Sequence, residues 1–259
     1  MTDQQIDQQT DQLETWRDRA ARAAAEGLPD EALELHRRYF TASRDVPALY
    51  GVRLSFALAE WGELAASYPP AREALVATRR EAVDRLTGPT SGPTSGPTSE
   101  PAPRRRDTPG DAFAEVAALS DVLGEPDFAV DLFARLDEQA PDTAADCAIA
   151  AHRLLMRAGR YDLARRHLTD PLGKVGRLAD VLQMRLARNP GLLSEAVRES
   201  RRGEAVRDYV AGVQEVLTLL RASGDDELAE ATRRKAVADV VWGHLRDEVE
   251  QALPPPSRG

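Results

Sequence analysis

A short pattern of glycine, an acidic residue and a small residue recurs along the chain, and it constrains the fold more than any other feature. The clearest copy is Gly159-Arg160-Tyr161-Asp162-Leu163-Ala164, which lies between two apolar helical stretches. Glycine is a common helix stop, an acidic residue favours the first turn of the next helix, and alanine lets two helices approach closely. Related segments begin at Gly27, Gly124, Gly191 and Gly224, and the last two of these are weaker copies.

The spacing of these glycines predicts a repeat architecture. The last four are 35, 32 and 33 residues apart, and a period of this size is typical of stacked helical hairpins. Gly27 and Gly124 are 97 residues apart, but residues 87–109 lie between them and contain three copies of Gly-Pro-Thr-Ser and six of the 17 prolines. This segment has almost nothing to bury, so we expect a disordered insertion. Without its 23 residues, 74 remain, which is close to two repeats.

The apolar periodicity therefore predicts an all-α protein with no sheet, about six helical hairpins and more than two thirds of its residues in helices. The expected map is a disordered N-terminus, two hairpins, the insertion, four hairpins with a C-terminal cap, and a disordered tail: 1–12, 13–86, 87–109, 110–253 and 254–259. One helix is expected from Pro47 to Leu64. An unusually long one is expected from Asp226 to Leu253, with an apolar stripe that either folds back as a cap or pairs between two copies of the chain.

At these residues the sequence resembles the tetratricopeptide repeat (TPR) family. The Gly159 segment is similar to the turn between the two helices of that repeat, and Trp16 lies eleven residues before Gly27, where the family has tryptophan. Three residues of the repeat around Gly124 match the Ala-x3-Phe…Pro pattern: Ala129, Phe133 and Pro141. The departures are Arg19-Ala20 for the Leu-Gly pair, Pro69 for a turn glycine, and Pro171 and Gly176 within a repeat. The resemblance implies a right-handed α-α superhelix whose concave groove binds a peptide or partner protein.

Composition and charge exclude several classes of protein. The net charge of -9 argues against general nucleic-acid binding. No apolar stretch approaches the roughly 18 residues of a membrane span, and the acidic, polar N-terminus is no signal peptide, so we expect a cytoplasmic protein. The single cysteine, Cys147, allows no internal disulfide and is expected to be buried and inert. Arginine outnumbers lysine 32 to 2, a bias that we interpret as codon usage in a GC-rich bacterial genome.

The sequence offers no recognisable catalytic or cofactor site. The four histidines do not have the spacing of metal ligands: His36, His152, His167 and His244. Phosphate-binding and nucleophile motifs are absent from the sequence as well. We therefore expect no cofactor, no metal and no catalytic residues, with an enzyme lacking any recognisable motif as a distant alternative.

Arginines occupy the expected groove side of the first helices in the second half. Counting back from the turn glycines gives five positions: Arg153, Arg157, Arg185, Arg188 and Arg221. The guanidinium fork suits carboxylates, so these residues predict a groove that binds an acidic peptide or partner protein, with a regulatory role as one option. Two alternatives stay open. The arginines pair with the protein's own acidic residues or are simply solvated, or the chain is a structural scaffold that self-associates, as a homodimer through the C-terminal helix.

Overall fold

The computed structural model describes residues 3–88, 108–187 and 194–254. Within these ranges the chain is all-helical, with 85% of residues in helices and no strands, which confirms the predicted class and helix content. The described residues form thirteen α-helices and one 3-10 helix (η1), in the order α1 (Asp3–Ala25), α2 (Pro29–Ala42), η1 (Pro47–Leu49), α3 (Tyr50–Leu54), α4 (Phe56–Ser67), α5 (Pro69–Thr87), α6 (Pro109–Val122), α7 (Pro126–Gln139), α8 (Pro141–Arg157), α9 (Tyr161–Arg166), α10 (Pro171–Ala187), α11 (Glu195–Ala222), α12 (Asp226–Ala238) and α13 (Gly243–Ala252).

Four of the five predicted glycine turns share one backbone geometry. Gly27, Gly124, Gly159 and Gly224 have φ values of 74°, 72°, 68° and 76°, a region that glycine occupies without a steric penalty. In each turn the glycine N–H donates to the carbonyl three residues earlier, and the next N–H donates to the carbonyl five residues earlier. These are the two bonds of a Schellman helix end. The prediction of helix stops is confirmed at these four positions, and Gly191 lies outside the described residues.

The small residue five positions after each of these glycines lies in a helix contact. Ala32, Ala129, Ala164 and Ala229 are all buried, as the close approach of two helices requires. The corresponding prediction for Ala196 is wrong, because this residue is exposed on the first turn of α11.

The chain divides into two compact units, Met1–Leu154 and Leu155–Gly259. In the first unit, three helical hairpins are formed by α1 with α2, α4 with α5, and α6 with α7. The second helix of one hairpin contacts the first helix of the next, since α2 packs on α4 and α5 packs on α6. This is the nearest-neighbour packing of stacked hairpins. The core between them is built around Phe40, Trp61, Leu75 and Leu119.

The second unit is organised around one long helix. The 28-residue α11 contacts α9, α10, α12 and α13. The hairpins predicted around Gly191 and Gly224 were expected to have two helices each, but both use α11, so the prediction of four separate hairpins in 110–253 is wrong. The reason is local: between Glu195 and Ala222 there is no proline, and the two glycines, Gly203 and Gly212, cost only about 1 kcal/mol each.

The prediction of a single C-terminal helix from Asp226 to Leu253 is also wrong. This segment forms two helices, α12 and α13, which are separated by Asp239–Trp242. Val240, Val241 and Trp242 are weak helix formers, and the break lets α13 fold back onto α11 and α12. This buries apolar residues of the predicted stripe: Val240, Leu245, Val249 and Leu253.

Three further expectations need correction. The helix predicted from Pro47 to Leu64 is interrupted at Ser55, whose hydroxyl donates to the carbonyl of Gly51 at 2.7 Å instead of leaving the backbone to continue the helix. Residues 3–12, predicted to be disordered, belong to α1, where glutamines favour helix and acidic residues suit its N-terminal end.

The ends of the predicted insertion also belong to helices. Thr87 is the last residue of α5 and Pro109 the first of α6, and Thr108 caps α6 by accepting a hydrogen bond from the Asp111 amide at 3.1 Å. Residues 89–107, and the tail from residue 255, lie outside the described residues. None of the helices in the described ranges combines the length and apolarity needed to cross a membrane.

Candidate functional site

The predicted groove arginines lie on three helices. Arg153 and Arg157 are on α8, Arg185 is on α10 and Arg221 is near the end of α11, and all four are exposed. Arg188 lies outside the described residues. Because Arg153 belongs to the first unit and the other three to the second, the single shared groove stays a prediction.

Arg185 is neutralised within the protein. Its Nη1 lies 2.5 Å from Oδ2 of Asp208 on α11. This hydrogen bond raises the pKa of Arg185 above its ordinary value. The alternative in which arginines pair with the protein's own carboxylates therefore holds for Arg185, which makes this residue a weak candidate for partner binding.

A different combination is found on α8. Ile149 is 93% exposed, and Ala145 and Arg153, one turn away on either side, are exposed too. Residues four apart lie on the same side of a helix, so the three form one continuous strip, which we call the α8 surface. The acidic residues Asp142 and Asp146 lie towards the N-terminal end of the helix and Arg153 towards its C-terminal end, as the helix dipole favours. The α8 surface thus offers an apolar contact beside a cation.

The sequence did not identify Ile149. It lies in an apolar stretch where Cys147 and Ala151 are buried, and a helical period alone places an isoleucine in the core more readily than on the surface. The only signal in the sequence was the helical register, because Ile149 is four residues before Arg153, a predicted groove residue.

The first unit also contains a buried charge cluster that the sequence did not reveal. It consists of Glu115 on α6, Arg44 after α2, Arg53 on α3 and Arg85 on α5, and we call it the Glu115 cluster. Oε2 of Glu115 lies 2.7 Å from Nη2 of Arg53 and 2.9 Å from Nη2 of Arg85, while Oε1 lies 3.6 Å from Nη2 of Arg44. The Glu115 and Arg53 side chains are 2% and 1% exposed, and those of Arg44 and Arg85 are both 26% exposed.

Arg53 is fully engaged at the centre of the cluster. Its Nε donates to the carbonyl of Phe40 at 2.8 Å, and its guanidinium carbon lies 3.8 Å from the centre of the Phe40 ring. Burial lowers the pKa of Arg53, and the charge of Glu115 opposes that shift. The cluster therefore fastens α3, α5 and α6 together, because three arginines contact the Glu115 carboxylate.

The single cysteine and the buried histidine have packing roles. Burial raises the pKa of Cys147 to about 12, and its Sγ donates to the Pro109 carbonyl at 3.4 Å, so the thiol is buried as predicted. His36 stacks on Trp61 with ring centres 6.2 Å apart, and burial lowers its pKa to about 4. Among the described residues, no group of three or more His, Cys, Asp and Glu side chains is placed to hold a metal ion.

Comparison of the chain with protein-family models, with curated proteins and with solved structures gives no match. The resemblance to the TPR family accordingly stays a prediction.

Proposed function

We propose that the chain is a non-catalytic interaction protein built from TPR-like helical hairpins, and that its α8 surface binds an acidic segment of a partner protein. The observation that carries the proposal is Ile149, which is 93% exposed one turn before the exposed Arg153. A large aliphatic side chain gains about 1.5–3 kcal/mol when it is buried, so its exposure beside a cation favours a covering partner.

The finer fold proposal, a right-handed superhelix of TPR type, rests on two observations. Four glycine turns have the same backbone hydrogen bonds, and in the first unit successive hairpins pack second helix against first. We expect the first helix of each hairpin to face the concave side of such a stack, and α8 precedes the turn at Gly159.

Charge complementarity defines the partner. Arg153 lies towards the C-terminal end of α8. A partner segment that places an apolar side chain on Ile149 and carboxylates one turn further along the helix would match this arrangement. Micromolar affinity needs about 8 kcal/mol in total, so the segment must also contact neighbouring surface. Binding through exposed arginines should weaken as salt is added.

A peptide-display selection on the full-length protein tests this proposal. We expect the selected peptides to combine Asp or Glu with an apolar residue, and to lose binding to an Ile149→Asp, Arg153→Glu double variant. Because both side chains are exposed, this variant should keep the helical signal and melting temperature of the wild type. The matched control is Phe56→Asp with Arg80→Glu, which changes the same chemistry at exposed positions on α4 and α5.

Two results would contradict the proposal. One is a set of selected peptides without acidic residues. The other is equal binding of those peptides to the α8 variant and to the wild type, which would place their contact elsewhere on the protein.

Self-association is a second candidate function, and α10 favours it more than the C-terminal helix does. Val181 and Met184 are exposed large hydrophobic residues three positions apart on α10, whereas the apolar stripe of α13 is buried within its own unit. Light scattering after size exclusion would show a dimer if the α10 residues pair between copies. The dimer should dissociate in a Val181→Asp, Met184→Asp variant, and a monomeric wild type would eliminate this candidate.

A further inference from the structure

We propose that the acidic segment bound by the α8 surface belongs to a second copy of the chain, and that it is the Gly27 turn, which we define as residues 26–31. This pairing depends on the proposed function of the α8 surface, whose partner it names. The Gly27 turn joins α1 to α2 in the first hairpin, whereas the first unit ends in α8. The contact therefore joins two different surfaces and links copies head to tail.

An exposed leucine distinguishes the Gly27 turn from the other three turns with positive φ. In each of the others, the residue after the glycine is charged and forms an ion pair within the protein: Glu125 with Arg79, Arg160 with Asp162, and Asp225 with Arg165. The same position in the Gly27 turn holds Leu28, which is 47% exposed. A hydrophobic residue here commonly packs on the helix that the Schellman motif ends. Part of the leucine is thus held in place, and the rest faces solvent as a positioned apolar group.

Carboxylates surround this leucine. Glu26, Asp30 and Glu31 are all exposed. Asp30 accepts a hydrogen bond from the hydroxyl of Tyr68, and Glu31 forms a 3.4 Å ion pair with Arg19 in which both side chains are more than half exposed. Glu26 has no ion-pair partner among the described residues. The Gly27 turn therefore offers an apolar side chain beside a carboxylate that the fold leaves uncompensated.

The α8 surface has the complementary groups. Among the described large hydrophobic residues, Ile149 has the highest exposed fraction, 93%, and Arg153 has no ion-pair partner within the described ranges. Leucine packed on Ile149 with carboxylates towards Arg153 would cover the first and neutralise the second. Asp142 and Asp146, at the other end of α8, would repel the turn in the reversed orientation, so charge sets its direction.

The contact is small, which sets the expected affinity. One turn against one helical strip covers less than the roughly 1,600 Å² of a standard interface, so we expect a Kd of about 0.1–1 mM. Sedimentation equilibrium of the full-length protein at concentrations up to about 1 mM covers this range. The average mass of the wild type should rise above that of one chain as concentration increases.

Two complementary variants test which surfaces meet. The turn variant is Glu26→Arg with Leu28→Ser, which places a basic residue at the C-terminal end of α1 and serine at the N-cap of α2, where each is favoured. The α8 variant is Ile149→Asp with Arg153→Glu. Each variant alone should remain monomeric. An equimolar mixture should form a dimer, because the α8 variant keeps an intact turn and the turn variant keeps an intact α8 surface.

Controls separate this contact from other modes of association. Phe56→Ser with Glu63→Arg removes an exposed apolar residue and reverses an exposed charge on α4, and it should assemble like the wild type. Val181→Asp with Met184→Asp should assemble as well, which excludes pairing through α10. A wild type that is monomeric throughout, an assembly that survives in either variant, or a mixture that stays monomeric would overturn the proposal. If that monomeric wild type still binds the selected acidic peptides at the α8 surface, the proposed function stands and only the identity of the partner is wrong.

Discussion

Replacing Glu115 with glutamine should destabilise the first unit by about 3 kcal/mol. Glutamine keeps the shape of the side chain and can still accept a hydrogen bond from Arg53, so no cavity is created and the loss measures charge. Removing one partner of a buried ion pair costs about 3–5 kcal/mol, because the other charge stays buried without compensation. Here Arg53 is almost fully buried, but Arg44 and Arg85 are partly exposed and can turn towards water. This relaxation places the expected value at the lower end of the range.

The assay must report on the first unit alone, since circular dichroism averages both units. The three tryptophans are Trp16 and Trp61 in the first unit and Trp242 in the second. In a Trp242→Phe background, urea unfolding monitored by fluorescence therefore follows the first unit. The control is Glu34→Gln, which removes a 2.8 Å pair with Arg38 in which both side chains are more than half exposed. Its expected cost is below about 0.5 kcal/mol.

A double-mutant cycle then separates the ion pair from other effects. Arg53→Met alone should also be costly, because it leaves Glu115 with weaker partners, while Arg53→Met combined with Glu115→Gln should cost clearly less than the two single changes added together. If Glu115→Gln cost no more than Glu34→Gln, or if the two changes were additive, the buried carboxylate would not be what holds the three arginines, and the reasoning would be refuted.

Three further perturbations test the local structure. Gly124→Ala should lower the free energy of unfolding by about 1 kcal/mol because the φ of Gly124 is positive, whereas Gly203→Ala inside α11 should raise it by about 0.5–1 kcal/mol. If urea unfolding showed both changes to be stabilising or both destabilising, the turn assignment would be contradicted. Ala164→Leu should lower the free energy of unfolding by about 1–3 kcal/mol, because it overpacks a helix contact. Ala196 lies at the same offset from its glycine but is exposed, so Ala196→Leu should be tolerated. Equal tolerance of both changes would exclude a close helix contact at Ala164. Since burial lowers the pKa of His36 from 6.5 to about 4, the unfolded state takes up the proton first as pH falls, and stability is lost between those values. The wild type should therefore lose about 1 kcal/mol more than His36→Phe between pH 7.5 and 5.5, and parallel curves for the two proteins would show that the histidine does not contribute.

The helix turns could be predicted from the sequence because their determinants are local. A Schellman end involves residues within six positions of one another, and the positive φ selects glycine almost by itself. For the same reason the buried alanine five positions later could be predicted at four turns. Where the glycine pattern was weak, at Gly191, the expectation for Ala196 failed.

The number of helices between turns could not be predicted in the same way. The period of 32–35 residues implies two helices per repeat, but the spacing does not show where one helix ends and the next begins. In the second unit nothing interrupts the segment from Glu195 to Ala222, so one helix takes the place of two. The opposite happens at Val240, where a segment with helical periodicity breaks because folding α13 back buries Leu245 and Val249. That gain depends on tertiary contacts with α11 and α12, which no local signal reports.

The arginines show the same division between local and tertiary information. The chain has 32 of them, and sequence periodicity picked out five by their register on helices. Arg185 has its own carboxylate in Asp208, so the protein already satisfies it. The arginines of the Glu115 cluster have no register in common, and Arg53 is 62 residues from the carboxylate it contacts. What brings them together is their shared contact with Glu115, which only the fold sets.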